Sequence, residues 1–525
     1  MLKLNLALDH AFFAARFGRC RYYVPLSAAL GLSATLALAP FGQWLMMPLA
    51  LTGLMTLQAF AVRARQVGLT CLLFLVAFNA ASFDFVDFVM RDFGQLPAAV
   101  SCALVVLLAA WIAAPYALLQ MAAFAASRGQ LSVFVLLFSP AALCGGDLCA
   151  YHLFGGFPWN YAGYAAVHGP LSAYAPLAGV LGINVVIYVI SAGLALAVMR
   201  RFVFLPVPAV LLALGTMLMG AEYTAPGPGH RAALVQAGIE QRLRWDESQV
   251  AAIISRHLEL SQPWLAQEGM LVIWSESSLP VFREAVPTLM ADLNALCQAQ
   301  GSVLITGIQT REEGHAYNSL ITLGLSADPA DMQVYRKRQL VPFGETVPLR
   351  EYLAPLSPIF NFPMSSFTPG PAGQPNTVIG DLRLINAICY EAVYSGLLRD
   401  GHRDDSGAIV MLSNDGWFGD SRGPLMHLDI ARMRCLELQK PMLRVTGNGI
   451  TAFINARGEV EQELPQGQAG VLEVSFETRR GSTPYARAGN VPALAAVAAL
   501  LVAGLILRRR GPDPRHEAIA RMVRP

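Results

Sequence analysis

Apolar runs long enough to cross a bilayer constrain this chain more than any other feature. From Gln130 to Met199 there is no Lys or Arg at all. A spanning helix needs roughly 20 predominantly apolar residues. Candidate stretches lie at about 24–41, 44–62, 68–84, 97–125, 131–147, 171–198 and 203–221, with an eighth at about 490–507. The first begins too late, and is followed too soon by more apolar sequence, to be a cleaved signal peptide. Only 14 % of the chain is charged and 54 % is hydrophobic, whereas a soluble domain carries about a quarter charged residues. From Tyr223 to Ser482 the charge density returns to that of a globular protein. The near-neutral net charge gives no sign of a nucleic-acid partner.

Loop charges set the expected orientation, because Lys and Arg stay in the cytoplasm. Arg16, Arg19 and Arg21 precede the first stretch; Arg63 and Arg65 follow the second. Arg128 follows the fourth, Arg200 and Arg201 the sixth, and Arg508, Arg509 and Arg510 the eighth. The loop after the third carries Asp84, Asp87 and Asp92 against Arg91, and the loop after the fifth has no Lys or Arg. Both termini are therefore expected inside. The expected organisation is a membrane domain over 1–221 with seven transmembrane helices, a soluble domain over 222–488 outside the membrane (in the periplasm of a cell with two membranes), and a final transmembrane helix and cytoplasmic tail over 489–525. Near the outer surface, Gly155-Gly156-Phe157-Pro158-Trp159 reads either as a lid or as an interfacial aromatic anchor. Asp147 is a functional candidate by its depth, or else a carboxylate that reaches interfacial water.

Short β-rich runs alternate with amphipathic ones in the later part, which argues for a layered α/β domain. Strands are expected at Ala233–Ala237, Met270–Trp274, Val303–Ile308, Asn318–Leu323, Gln333–Arg336, Leu382–Ile388, Ala408–Leu412, Leu443–Thr446 and Thr451–Asn455. Helices are expected at Glu247–Leu260, Val286–Ala299 and Leu425–Leu438. Three reactive groups stand at or beside strand ends, where α/β domains place chemistry: Glu276, Lys337 and Cys389. A thiol needs a base, since the thiolate is the nucleophile. Glu276 is a candidate general base. Lys337 is a candidate to hold the oxyanion of a tetrahedral intermediate, and strand alternation turns it opposite to Arg336 and Arg338. Cys297 and Cys435 fall on helix faces and read as structural thiols. The eight cysteines show no metal-ligand spacing, so no metal is expected.

The segments around these groups, Trp274-Ser275-Glu276-Ser277-Ser278-Leu279-Pro280, Tyr335-Arg336-Lys337 and Ile388-Cys389-Tyr390-Glu391, resemble those of the nitrilase, or carbon–nitrogen hydrolase, superfamily. Within it the chain resembles the apolipoprotein N-acyltransferase family. That likeness rests on Leu340-Val341-Pro342-Phe343-Gly344-Glu345, Pro363-Met364-Ser365-Ser366-Phe367, Ser413-Asn414-Asp415-Gly416-Trp417-Phe418-Gly419-Asp420, and Val235-Gln236 followed by Arg244-Trp245. The resemblance implies an eight-helix membrane bundle with a nitrilase-like αββα sandwich outside it. It also implies a Glu276–Lys337–Cys389 triad without cofactor, and Glu345 as a second carboxylate beside Lys337 or the leaving group. Tyr390 and Glu391 would orient the nucleophile, with Trp245, Trp417, Phe418 and Asn414 near the substrates. The hydrophobic loop Pro355–Phe367 would be a lid or a packed loop.

The implied donor is a phospholipid, phosphatidylethanolamine, and the acceptor is the α-amine of a diacylglyceryl apolipoprotein in the bacterial inner membrane; a monomer suffices. Three places depart from the family pattern: Ser275 where Pro is usual, Ala237-Gly238 for Gly-Asn, and Gly447 where Asn is common. None removes a reactive group. A membrane-anchored amidase would use the same triad with water as acceptor, but would need one or two anchors. A transporter with a sensor domain would carry mid-membrane charge, which the apolar stretches almost lack.

Overall fold

The computed structural model describes residues 20–328, 331–346 and 366–508. The chain divides into two units: one takes in residues up to Asp87, Leu96–Ala221 and the segment from Ala488, the other Phe88–Gln95 and Glu222–Arg487.

The first unit is helical. Four helices are long and apolar enough to cross a membrane: Ala64–Ser82, Ala98–Ala126, Leu131–Gly155 and Pro170–Val198. Four further apolar helices are shorter: Tyr23–Ala37, Met46–Ala59, Phe202–Leu218 and Val491–Leu507. Each expected apolar stretch thus forms a helix, but half are shorter than the stretch that predicts them. Local sequence explains two of these. The first helix stops at Ala37 because Pro40 has no amide to donate and Ala39, ahead of it, is pushed away from helical angles. The seventh stops at Leu218, short of the stretch's end, just before Gly220 at φ +81°. The acidic loop expected after the third stretch is instead a helix, Asp84–Asp92, with Asp84 and Asp87 in its first turn and Arg91 in its last. That placement opposes the helix dipole at both ends and stabilises a short helix.

Asp147 does not reach interfacial water; it is 2 % exposed. Its carboxylate accepts hydrogen bonds from Tyr116 at 2.7 Å, Asn184 at 2.8 Å and Tyr188 at 2.9 Å. Tyr161 donates to its backbone carbonyl at 2.7 Å. The donors come from three separate stretches of the unit, so a buried acid that would be costly alone ties them together. Trp159 is buried too, with its ring 4.8 Å from Phe85 and stacked 6.1 Å from Phe157.

The second unit is a sandwich of two sheets. Its strands are β1 (Ala225–Gln236), β2 (Leu271–Trp274), β3 (Leu279–Phe282), β4 (Val303–Glu312), β5 (His315–Leu323), β6 (Gln333–Arg336), β7 (Thr377–Ile379), β8 (Leu382–Ile388), β9 (Ala408–Ser413), β10 (Met442–Thr446), β11 (Thr451–Ile454), β12 (Val460–Leu464) and β13 (Gly470–Arg480). One sheet runs β13-β1-β2-β4-β5-β6, with β3 beside β4; the other runs β12-β11-β10-β9-β8-β7. β1, β2 and β4 pair in parallel, as do β8, β9 and β10. Parallel neighbours need crossovers, and helices Val250–Leu265, Pro287–Gln300, Ser395–Gly401 and Gly423–Leu438 lie in those connections.

Strand periodicity then sorts the faces. Ala232 and Leu234 of β1 join Ile273, Ile305 and Leu320 against Leu384, Val410, Leu412 and Val445 of the other sheet. Ala233 and Val235 turn the opposite way, onto Leu265, Met290, Leu293 and Cys297 of two helices. β2 and β9 are buried along their whole length, which is why they read as unbroken apolar runs.

Candidate active site

Both sheets deliver reactive groups at strand ends. Glu276 follows β2 in a tight turn whose next residue, Ser277, has φ +49°. The turn lies against β4 at Gly307, where a Cβ would come within 2.6 Å of Ser275 O and Ser277 N. Only glycine permits that approach. Ser278 adds a hydrogen bond to Thr306 at 2.8 Å. Lys337 directly follows β6 and is 1 % exposed, while Arg336 pairs outward with Glu312 at 2.6 Å and Arg338 faces Asp400 at 3.7 Å. The expected alternation therefore holds.

The Lys337 ammonium lies 3.0 Å from Glu276 Oε1 and 2.9 Å from Glu345 Oε2. Asn318, from the middle of β5, donates to both carboxylates, at 2.7 Å to Glu276 and 2.8 Å to Glu345. Val341 N donates to Glu345 at 2.9 Å. Burial works against the Lys337 charge, but the two carboxylates outweigh it and hold the ammonium well above its ordinary pKa. Lys337 is therefore a fixed cation.

Cys389 directly follows β8 at φ +52°, a left-handed conformation that costs a non-glycine residue about 1–3 kcal/mol. Glu391 holds the turn. Its carboxylate accepts from Ile388 N at 2.7 Å, Arg338 N at 2.6 Å and the Tyr335 hydroxyl at 3.0 Å. Burial raises Glu391 to about 7 against these stabilising donors. The Cys389 thiol is driven well above its ordinary value, first by burial and then by Glu276, with Lys337 opposing. These surroundings hold Cys389 toward its thiol form.

A second polar network lies behind the thiol. Ser413, the last residue of β9, donates to Asp415 at 2.6 Å. Asp415 lies 3.0 Å from His427 Nδ1 and 2.5 Å from Arg444. His427 Nε2 lies 3.2 Å from the Cys389 carbonyl oxygen. Burial alone would raise Asp415, but Arg444 and His427 hold it well below the usual carboxylate range.

The structure thus gathers Glu276, Lys337 and Glu345 around Asn318, and sets the Cys389 thiol in the electrostatic field of Glu276 and Lys337. Tyr390 is buried with its ring 5.3 Å from Tyr394. Asn414 is buried beside Asp415. Trp417 packs on Phe93 at 4.8 Å, Phe418 meets His427 at 6.1 Å, and Trp245 is half-buried. These aromatic partners lie outside the carboxylate–ammonium cluster. The loop Pro355–Phe367 lies outside the described residues up to Ser365. Sequence reasoning missed Asn318, Ser413, Asp415, His427 and Arg444. The Ser413-Asn414-Asp415 run at a strand end was a visible signal for two of them; a lone His in a buried helix was not.

The described residues hold no group of His, Cys, Asp and Glu suited to a metal ion. Two parallel-centred sheets back to back, with acid, ammonium and thiol at strand ends, are the features of a carbon–nitrogen hydrolase domain, and residues 231–485 match that family's model. Residues 30–193 match the model of the apolipoprotein N-acyltransferase N-terminal domain. Apolipoprotein N-acyltransferases of Vibrio vulnificus and Vibrio cholerae are 34 % and 35 % identical, over 93 % and 89 % of this chain and 97 % and 94 % of theirs. That of Azotobacter vinelandii is 38 % identical over 69 % of this chain and 72 % of its own. The chain belongs to the apolipoprotein N-acyltransferase family.

Proposed function

We propose that this membrane protein transfers a fatty acyl chain from a phospholipid, phosphatidylethanolamine, through a thioester on Cys389 to the α-amine of the diacylglyceryl cysteine of apolipoproteins. One observation carries the mechanism: a buried Lys337 held between Glu276 and Glu345, with the Cys389 thiol in the field of the first. Glu276 takes the thiol proton as sulfur attacks the ester carbon, and Lys337 steadies the developing oxyanion. The carbon–oxygen bond breaks, and the proton passes from Glu276 to the leaving lysophospholipid. The α-amine then attacks the thioester, Glu276 takes its proton, and the thiolate leaves and is reprotonated. Ester to thioester to amide runs downhill overall, and the two half-reactions form a ping-pong cycle. Glu345 positions Lys337, and Glu391 and Tyr390 support the Cys389 turn; Trp245, Asn414, Trp417 and Phe418 lie toward the substrates.

The eight apolar helices cross the inner membrane with both termini in the cytoplasm, and residues 222–488 form the periplasmic catalytic domain. The loop charges support this orientation. Two lipid substrates confined to the bilayer account for a catalytic domain joined to spans at both ends.

Intact-protein mass spectrometry after incubation with phosphatidylethanolamine tests the reading. Wild type is expected to gain one acyl chain, removable by hydroxylamine and absent in Cys389→Ala. No mass gain and no lysophospholipid, with hydrolysis of a soluble amide instead, would replace the transferase with an anchored amidase.

A further inference from the structure

Arg244 is fully buried, yet its guanidinium is only partly satisfied. One terminal nitrogen donates to the backbone carbonyls of Ser277 at 2.8 Å and Glu276 at 3.2 Å. Among the described residues, Nε and the other terminal nitrogen have no hydrogen-bond partner. A buried charge with idle donors is costly, and the fold keeps it against the two carbonyls of the Glu276 turn. That turn includes Ser277 at φ +49°, and such strain persists only where its surroundings enforce it.

Gly447 completes the arrangement. Its φ is outside the left-handed range, so glycine is not needed there for backbone freedom. A Cβ at 447 would instead overlap the second terminal nitrogen of Arg244 and come within 3.2 Å of Cζ and of Ser275 Oγ. Gly447 O in turn accepts from Gly238 N at 3.0 Å. The space that a Cβ would take at 447 is therefore bounded by the Arg244 guanidinium and Ser275 Oγ.

We propose that Arg244 is a positioning residue for Glu276, holding the turn that carries the carboxylate, and that Gly447 is small in order to admit the guanidinium. This rests on the reading of Glu276 as general base. Arg244 acts through the turn.

The test is a double-mutant cycle on the full chain in detergent, reading the single-turnover rate of Cys389 acylation by phosphatidylethanolamine. Misplacing a catalytic group by about 1 Å costs on the order of a hundredfold. Gly447→Ala and Arg244→Met are therefore each expected to slow acylation by about tenfold to a hundredfold. Arg244→Lys, which keeps one donor and lacks the branch that meets Cβ, is expected to recover most of the loss seen with methionine. Adding Gly447→Ala to Arg244→Lys should cost less than about twofold, the signature of contact coupling. Equal cost of the alanine in both backgrounds, or wild-type rates in Arg244→Met, would overturn the proposal. If Arg244→Met does not fold, the lysine–alanine cycle decides alone. Glu276→Gln separates the two ideas: full activity there removes the general base itself, whereas an inactive glutamine variant beside a fully active methionine variant removes only the role of Arg244.

Discussion

Replacing Lys337 with methionine is the sharpest perturbation of this site, because the ammonium serves two carboxylates at once. It sits 3.0 Å from Glu276 and 2.9 Å from Glu345 and is 1 % exposed. Methionine nearly fills the same volume, so the change removes charge and hydrogen bonds rather than packing. Breaking a buried pair by removing one partner costs about 3–5 kcal/mol, since the remaining charge stays desolvated. At about 2–4 °C per kcal/mol for a unit of this size, the melting midpoint should fall by roughly 6–20 °C. A second substitution, Glu345→Gln, removes one stranded charge and should recover part of that loss. Activity should not follow stability. An oxyanion donor contributes about a hundredfold to a thousandfold in rate, so the double variant is expected to melt higher than Lys337→Met yet stay as slow in forming acyl-enzyme. Tryptophan fluorescence melting and time-resolved intact mass read the two quantities independently. An acylation rate within tenfold of wild type in Lys337→Met would refute Lys337 as the oxyanion group. An unchanged midpoint would refute the ion-pair reasoning.

The thiol should titrate in a direction that separates its two neighbours. Burial and Glu276 raise Cys389 and Lys337 lowers it, so the thiol form dominates below the raised value and the alkylation rate of Cys389 should still be climbing in mildly alkaline buffer. Glu276→Gln should shift the iodoacetamide profile to lower pH and Lys337→Met to higher pH, read on the Cys389 peptide by mass spectrometry; a shift of opposite sign in either contradicts the arrangement. His427→Ala removes a ring that lies 3.2 Å from the carbonyl of the strained Cys389. A hydrogen bond to a neutral carbonyl contributes about 0.5–1.5 kcal/mol, so the acylation rate should fall about twofold to tenfold with KM for phospholipid unchanged. A rise in KM at constant kcat would place His427 in lipid binding instead.

Much of this was legible in the residues. Strands over Gln333–Arg336 and Leu382–Ile388 were read to the residue, because β-branched, aromatic and apolar content marks a strand. Others were missed. β13 alternates openly, with Val474, Phe476 and Thr478 buried between exposed neighbours, and its pattern went unread near the final apolar stretch. β7 is three residues long and β3 five residues beyond β2, too short for periodicity to register. The apolar stretches were placed correctly, but where two of the helices stop depended on Pro40 and Gly220.

By itself, the sequence determined the division into an apolar helical part and an α/β part, since burial patterns are written residue by residue in hydrophobic spacing. It also determined which three groups stand at strand ends, since strand boundaries are local. Only the tertiary structure decided what surrounds them. Asn318 joins Glu276 to Glu345 from a strand between them in the chain, Asp415 and His427 support Cys389 from beyond β9, and Arg244 reaches the Glu276 turn through the space left at Gly447. Such contacts arise when distant segments are brought within hydrogen-bond range by packing, and nothing in local spacing records them.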